Sequence, residues 1–386
     1  MIEKYSKAWY QSYRRRLTRW YDTHHRRLPW RQTSDPYAIW ISETMLQQTQ
    51  VATVIAYYHR FLTRFPTVVN LANADEQEVL SLWAGLGYYR RARQLHAASK
   101  IIVERFSGNF PTRFEDVLAL PGIGRYTAGA ITSFAYDQRA PIVEANTSRL
   151  YSRLLALDEP LQGSQAQAQL WEFAEASLPT RQGAGRVNQA AIEVGSQVCK
   201  PQPNCSGCPL KTLCRAYATG RETHIPVQAA RPVVTDKIHV SVLIKWGNRY
   251  LVRRNQPGEW WEALWEFPRA DLALMDAART KGFQRSHPDA SANLEIAREL
   301  LHQVYALDCR PRRFVKLHKH SVTRYRIALY CFEADWDPAL VPKRRAKPSS
   351  KFLSSLEGQW HWWDLQDSSL PVSSPTSRIR DWLSLR

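Results

Sequence analysis

From Ser34 to about Cys199 the apolar residues recur every three or four positions, the period of a helix with one buried face. Val51, Val54, Ile55, Tyr58 and Leu62 form one such stripe, and Val79, Leu80, Leu82 and Trp83 form another. Punctuation agrees with the period. FPTVVNLANADEQEVL carries a proline stop and then an acidic first turn at Asp75 to Glu78, and GLGYY ends the next segment. The first half is therefore expected to be all α. Residues 220–236 break the period and hold two prolines, so they read as a linker. Beyond them KIHVSVLIKW and RYLVRR, β-branched on both arms, flank Gly247-Asn248, which predicts a hairpin. Leu294, Ala297, Leu301 and Val304 predict an amphipathic helix, and RPRRFVKLHKHSVTRYRIALYCFEAD and GQWHWWDL return to strand-like alternation. The organisation expected is a helical domain over 1–219, a linker over 220–236 and a mixed α/β domain over 237–386. No internal repeat is found, and KRRAKPSSK reads as a basic loop or disordered stretch.

With 386 residues and about 150 per domain, two or three domains fit the length. No apolar run approaches the roughly 20 residues that span a bilayer. MIEKYSKAWY also lacks the apolar centre of a signal peptide, so a soluble, cytoplasmic chain with no membrane partner is expected, nucleoid-associated in a bacterium.

Charge changes the picture. Lys plus Arg is 53 against 35 for Asp plus Glu, a net +18 that solubility alone does not require, so a polyanion is the expected partner. Lys4, Lys7, Arg14, Arg15, Arg16, Arg19, Arg26, Arg27 and Arg31 crowd the N-terminus, interleaved with Tyr10, Tyr13, Trp20 and Trp30. A solvated helix face would account for the charges alone. Rings that stack on bases beside cations that neutralise phosphates favour nucleic acid over membrane.

Two short stretches carry candidate chemistry. In LPGIGRYTAGA a helix, a tight turn with Gly122 and Gly124, and a second helix from Arg125 follow one another. Glycine lets the backbone turn sharply and approach a neighbour, and the unpaired N–H groups of a helix start suit a phosphate. CKPQPNCSGCPLKTLC sets Cys199, Cys205, Cys208 and Cys214 within sixteen residues, which favours metal over disulfides. Spacing alone leaves zinc and a four-iron cluster both open. Lys200, Lys211 and Arg215 beside it are suitable phosphate contacts.

LPGIGRYTAGAI resembles the helix-hairpin-helix of the DNA glycosylase superfamily, and SETMLQQT, GLGYYRRARQLH and the cysteine loop are similar to the MutY-type adenine DNA glycosylases. The likeness runs from about Leu28 to Cys214 and more weakly to LWEFP. It implies an all-α helix-hairpin-helix glycosylase domain (hairpin 113–136, iron-sulfur loop 199–214) followed by an α/β Nudix-like domain. It also implies a [4Fe-4S] cluster on the four cysteines, and a monomer acting on double-stranded DNA with an adenine:8-oxoguanine mispair.

The reaction so implied develops negative charge on the leaving base and positive charge on the sugar, so two carboxyl groups have separate tasks. By resemblance Glu43 protonates adenine, and semi-burial would keep it protonated. The second carboxylate departs from the family pattern Val-Asp-Gly-Asn: here Val143, Glu144, Ala145 and Asn146 stand in line. Glu144, as electrostatic partner of the sugar or as nucleophile, keeps the charge on one extra methylene, and a misplacement of about 1 Å can cost on the order of 100-fold, so catalysis is expected to be retained but slower. Tyr126 occupies the position of a lysine that forms a Schiff base in relatives that also cut the backbone; tyrosine cannot, which implies base removal without an efficient lyase step. Arg26, Trp30 and Arg31 resemble part of the adenine pocket, and Gln189 sits where the family places Glu or Gln toward the base. Leu46, Gln48 and Tyr88, with Thr49 and Leu86 beside them, resemble residues that fill the stack when a base is flipped out.

In the second domain Arg298-Glu299 is followed by Leu300, Leu301, His302 and Gln303, without the paired glutamates that hold magnesium in a Nudix hydrolase, which argues against nucleotide hydrolysis. His320-Ser321-Val322 stands where the family has Phe-Ser-His, leaving Ser321 to contact the lesion. Rival readings are a catalytically silent lesion-binding protein and a glycosylase for a different mispair.

Overall fold

Helical stripes close into helices and alternating segments into strands in the computed structural model, which describes residues 5–227, 233–336, 359–367 and 369–385. Lys4 and the basic stretch 343–351 lie outside the described residues. The first half holds α1 (Lys7–His24), α2 (Pro36–Leu46), α3 (Val51–Arg64), α4 (Val68–Ala72), α5 (Glu76–Trp83), α6 (Arg90–Phe106), α7 (Phe114–Leu118), α8 (Arg125–Tyr136), α9 (Ala145–Leu155), α10 (Ser164–Ser177), α11 (Ala184–Gln197) and α12 (Arg215–Ala218). Their starts follow local chemistry. Ser6, Asp35 and Asp75 each accept a backbone N–H of the turn they open, and Pro36 fills a first-turn position where no N–H is needed.

By its contacts the chain divides into two units, 1–74 with 91–231, and 75–90 with 232–386. α5 thus groups with the second unit, a departure from the single N-terminal domain expected over 1–219. The expected linker also differs. Ile225 is 1% exposed, Arg153 donates to its carbonyl at 2.7 Å, and Val227 bridges to Pro160, so residues 225–227 pack on the first unit. Thr235 and Asp236, also expected in the linker, already belong to a strand of the second unit, and 228–232 lie outside the described residues.

The first unit's core joins Tyr13 and Leu17 of α1, Leu150 and Tyr151 of α9, Phe173 of α10, and Val187 and Val194 of α11. This corrects the reading of Tyr10, Tyr13 and Trp20 as base-stacking groups. Tyr13 is buried, and Tyr10 and Trp20 pack against the core, while Arg15, Arg16 and Arg19 stay exposed. Rings of that size gain more by burial than by standing in solvent.

The second unit is built on a seven-stranded mixed sheet: β1 (Thr235–Trp246), β2 (Arg249–Arg254), β3 (Trp265–Glu266), β4 (Arg269–Asp271), β5 (Arg310–Val322), β6 (Tyr325–Asp335) and β7 (Trp360–Asp364). The order is β3-β2-β1-β6-β5, with β4 on β1 and β7 on β2. The hairpin at Gly247-Asn248 forms as expected, pairing Trp246 with Arg249. β1 and β6 run parallel, and both faces are covered. Val240, Val242, Tyr330 and Phe332 pack on Ile296 and Leu300 of a helix spanning Ser291–Tyr305, whereas Leu243, Leu329 and Cys331 pack with Ile379 of one spanning Ser374–Leu383. A short helix, Ala277–Gly282, precedes the first of these.

Candidate active site

α2 is buried along most of its length, which carries a carboxylate into the interior: Glu43 is 5% exposed. The helix end is fixed by Arg91 of α6, whose Nη1 donates to the carbonyls of Thr44, Met45 and Gln47 at 2.7, 3.0 and 2.6 Å. Those carbonyls have no partner within a helix that stops at Leu46, and a cation there also meets the negative end of the helix dipole. Gln48 then takes a left-handed backbone, φ 58°, in the turn leading to α3.

Tyr126 lies in the first turn of α8, and its hydroxyl donates to Glu43 Oε2 at 2.6 Å. Burial pushes the Glu43 carboxyl up to about 7; the Tyr126 hydrogen bond opposes the rise and the nearby charge of Glu144 adds to it. At neutral pH a large part of Glu43 therefore carries a proton.

Glu144 is treated differently. It caps α9, with Oε1 accepting from Thr147 N at 2.8 Å and Oε2 from Asn146 N at 2.8 Å and Asn146 Nδ2 at 3.1 Å. Thr147 returns a hydroxyl to the Glu144 N–H, closing a capping box. Burial raises the Glu144 carboxyl too, while these N–H donors and Arg149 work the other way and favour its ionised form. Asn146 Oδ1 accepts from Arg149 Nη2 at 2.9 Å, and Arg149 Nε donates to the Cys199 carbonyl at 2.6 Å, a polar chain from Glu144 to the cysteine loop.

Both carboxylates line one cavity of about 720 Å³. Arg26, Trp30, Arg31, Leu46, Gln48, Thr49, Tyr126, Asn146 and Gln189 line it as well, so most residues chosen from the sequence converge. Gln189 Oε1 accepts from the Tyr21 hydroxyl at 2.7 Å. Ser321 belongs to the other unit, exposed on β5 opposite Arg326. So do Leu86, which is buried, and Tyr88, which is 56% exposed with φ 49°.

One carboxylate went unread. Glu193 of α11 is fully buried between Arg26, at 2.9 and 3.0 Å, and Arg31, at 2.6 Å. Burial alone would raise its carboxyl, yet the hydrogen bonds from Arg26 and Arg31 outweigh it and hold it at about 2. Arg26 and Arg31 thus form part of the cavity wall as an ion cluster. The available signal was spacing, since Glu193 is one helical turn on from Gln189.

At the α7–α8 turn the two glycines have separate reasons. Gly122 has φ +76°, and a Cβ there would meet Gln94 Cβ at 2.7 Å, so internal packing demands it. At Gly124 a Cβ would meet nothing within 4 Å, so this N-cap faces open space. Arg125 lies over the Trp171 ring at 3.9 Å.

Cys199, Cys205, Cys208 and Cys214 are free thiols that line one small cavity with Arg153, whose Nη1 is 3.3 Å from Cys199 Sγ. Among the described residues no three His, Cys, Asp or Glu side chains are gathered closely enough to hold a single metal ion. Four unpaired thiols around one cavity do provide the donor set that an iron-sulfur cluster takes.

The family described as HhH-GPD superfamily base excision DNA repair protein matches residues 41–176. An adenine DNA glycosylase of Buchnera aphidicola subsp. Schizaphis graminum is 36% identical over 260 residues, covering 67% of this chain and 75% of that protein. The human adenine DNA glycosylase is 44% identical over 216 residues, 53% of this chain and 39% of that protein. The chain thus spans less than half the length of that relative. Among solved structures, a thermostable thymine-DNA glycosylase is 26% identical, with a TM-score of 0.49, over 55% of this chain and 98% of that one. No helix among the described residues is long and apolar enough to cross a membrane.

Proposed function

The chain belongs to the adenine DNA glycosylase family, and we propose that it excises adenine mispaired with 8-oxoguanine from double-stranded DNA, acting as a monomer. The observation that carries this reading is the pair Glu43 and Glu144 on the wall of one cavity with opposed surroundings. The adenine nucleotide is extruded from the duplex because its glycosidic bond is out of reach inside the stack. Neutral Glu43 gives its proton to the departing base as the glycosidic bond breaks, the Glu144 carboxylate offsets the positive charge that grows on the sugar, and water then bonds to the sugar carbon and returns a proton to Glu43. Trp30 and Gln189 receive the purine, and the Arg26, Arg31 and Glu193 cluster keeps that wall rigid. Leu46, Gln48 and Thr49, steadied by Arg91, fill the vacated space, and Leu86 and Tyr88 carry the same role on their own segment. Gly122, Gly124 and Arg125 set the start of α8 against a phosphate. The second unit is read as a Nudix-like domain in which Ser321 contacts the lesion.

Tyr126 cannot form a Schiff base, so no efficient strand cleavage accompanies base release. Its hydroxyl favours the ionised form of Glu43, and Tyr126→Phe should therefore raise the Glu43 pKa. The alkaline limb of the single-turnover pH profile is expected to move to higher pH; an unmoved or lowered limb removes Tyr126 from control of the acid.

Cys199, Cys205, Cys208 and Cys214 would hold a [4Fe-4S] cluster, which when bound fixes the loop and supplies no step of base release. Protein purified without oxygen is expected to be brown with visible absorption, and Cys205→Ser to lose both colour and thermal stability. Colourless protein holding stoichiometric zinc would overturn the assignment.

A second reading has its own observation. Both Glu144 oxygens are engaged by their own helix, which favours a slow enzyme or a silent lesion-binding protein. A single-turnover assay on adenine opposite 8-oxoguanine, guanine and cytosine separates them. Release of free adenine fastest opposite 8-oxoguanine supports the first reading, and a stable complex without release supports the second.

A further inference from the structure

Gln189 stands half-buried on α11, in the wall of the carboxylate cavity. Its side-chain amide carries a donor and an acceptor side by side, and which of the two meets a given edge of a base depends on half a turn about one bond. The surroundings fix that turn. Tyr21 of α1 is not among the residues of the wall, but its hydroxyl donates to Gln189 Oε1 at 2.7 Å.

The tyrosine is itself held in place. It is 9% exposed; His25 stacks on its ring, with centroids 4.6 Å apart and planes 23° from parallel, and the Arg31 guanidinium lies 5.6 Å from the ring centroid. His25 is tied back in turn, its Nδ1 2.7 Å from the Tyr21 carbonyl. The ring has little room to swing.

The phenol has one proton to give and one place to put it. Burial raises its pKa above the ordinary value, against the Arg31 charge, so at neutral pH the hydroxyl keeps its proton. The carboxylates near enough to act on it are already engaged, Glu193 with Arg26 and Arg31, and Asp22 with Arg186. Among the described residues Gln189 Oε1 is the acceptor the hydroxyl finds. Turned over, the amide would set its NH2 against the phenol and leave a buried donor unmatched, which costs more than a hydrogen bond normally contributes. Gln189 Nε2, by contrast, donates to no protein group among the described residues, and Oε1 has a second lone pair. The wall therefore presents a spare donor beside a spare acceptor in one fixed order.

We propose that Tyr21 is a positioning residue for base selection: its hydroxyl holds the Gln189 amide in the orientation that matches adenine and opposes a purine with oxygen at position 6. Adenine sets a ring-nitrogen acceptor beside its amino donor. Hypoxanthine, the same bicycle with oxygen for the amino group, has an acceptor at that place and a donor at N1. A fixed donor and acceptor pair fits the first and clashes with the second, whereas an amide free to turn accommodates both. The inference rests on the reading of Gln189 as a base contact and adds to it the residue that gives this contact its direction.

Single-turnover release of adenine and of hypoxanthine by the full chain, from otherwise identical duplexes opposite 8-oxoguanine, tests it. Tyr21→Phe keeps the ring against His25 and Arg31 and removes only the hydroxyl. The ratio of the adenine rate to the hypoxanthine rate should fall about tenfold, the effect of one hydrogen bond matched or mismatched. Both rates come from one preparation, so any loss of folded protein cancels from the ratio. Gln189→Glu supplies the second arm: a carboxylate is the same after half a turn, so in that background Tyr21→Phe should leave the ratio unchanged. A parent that releases neither base refutes the reaction proposed above and leaves this inference standing. There, or where one rate is too slow to follow, the ratio is taken from the affinities for the two duplexes and must fall in the same way. An unchanged ratio in Tyr21→Phe, even with both rates lowered, or an equal fall in the Gln189→Glu background overturns the proposal.

Discussion

Replacing Glu43 by glutamine is expected to slow single-turnover adenine release by about 10²–10⁴-fold, the range attached to a lost general acid, with duplex binding retained. Glutamine matches glutamate in shape and can still accept the Tyr126 hydroxyl, so the fold around α2 has no reason to change. Stability offers an independent check. In the unfolded chain the Glu43 carboxyl titrates at its ordinary value of 4.5, and in the folded protein at about 7. Between those values the folded state binds the extra proton, so this group's contribution to stability falls as pH rises from 4.5 through about 7. Glu43→Gln has no such proton to lose. Above pH 7 it should therefore melt no lower than the parent, and an early-melting variant there would contradict burial of a neutral acid.

Removal of the Glu144 charge ranks second. Glu144→Gln is expected to slow release by about 10²–10³-fold, as when one preorganised electrostatic group is taken from a site. It should also cost about 1 kcal/mol of stability, because an amide cannot accept on both sides of the α9 cap. The pH profile distinguishes this variant from Tyr126→Phe. The Glu144 charge raises Glu43, so its loss should move the alkaline limb to lower pH, opposite in sign to the tyrosine variant. Glu144→Asp tests the extra methylene directly: aspartate caps a helix well and draws the charge back to the family length, so it should release adenine faster than the parent. A slower aspartate variant would show that the present carboxylate is not impaired, and that the α9 cap has already adapted to glutamate.

The carboxylate cavity was legible because its members sit in short motifs, Glu43 within SETMLQQT, Glu144 and Asn146 beside Val143, and Tyr126 behind the glycine turn. At the N-terminus, where cations alternate with rings, composition did not tell which of the rings stay at the surface. Tyr13 and Leu17, one helical turn apart, are fully buried in the core. The charges were left outside and the rings taken in, a division that depends on which face of α1 another helix covers.

What the chain alone determined was local: the helical period of the first half, the two-residue turn at Gly247, the caps at Ser6, Asp35 and Asp75, and the grouping of four cysteines. Each depends on neighbours within a turn or two, and backbone sterics and capping act over that range. Tertiary structure decided the partners. Arg91 reaches the end of α2 from 47 positions away, and Arg26 and Arg31 meet Glu193 across 167 and 162 positions. It also raised the carboxyls of Glu43 and Glu144, because burial shifts a pKa only once the interior around the group has closed and water has left.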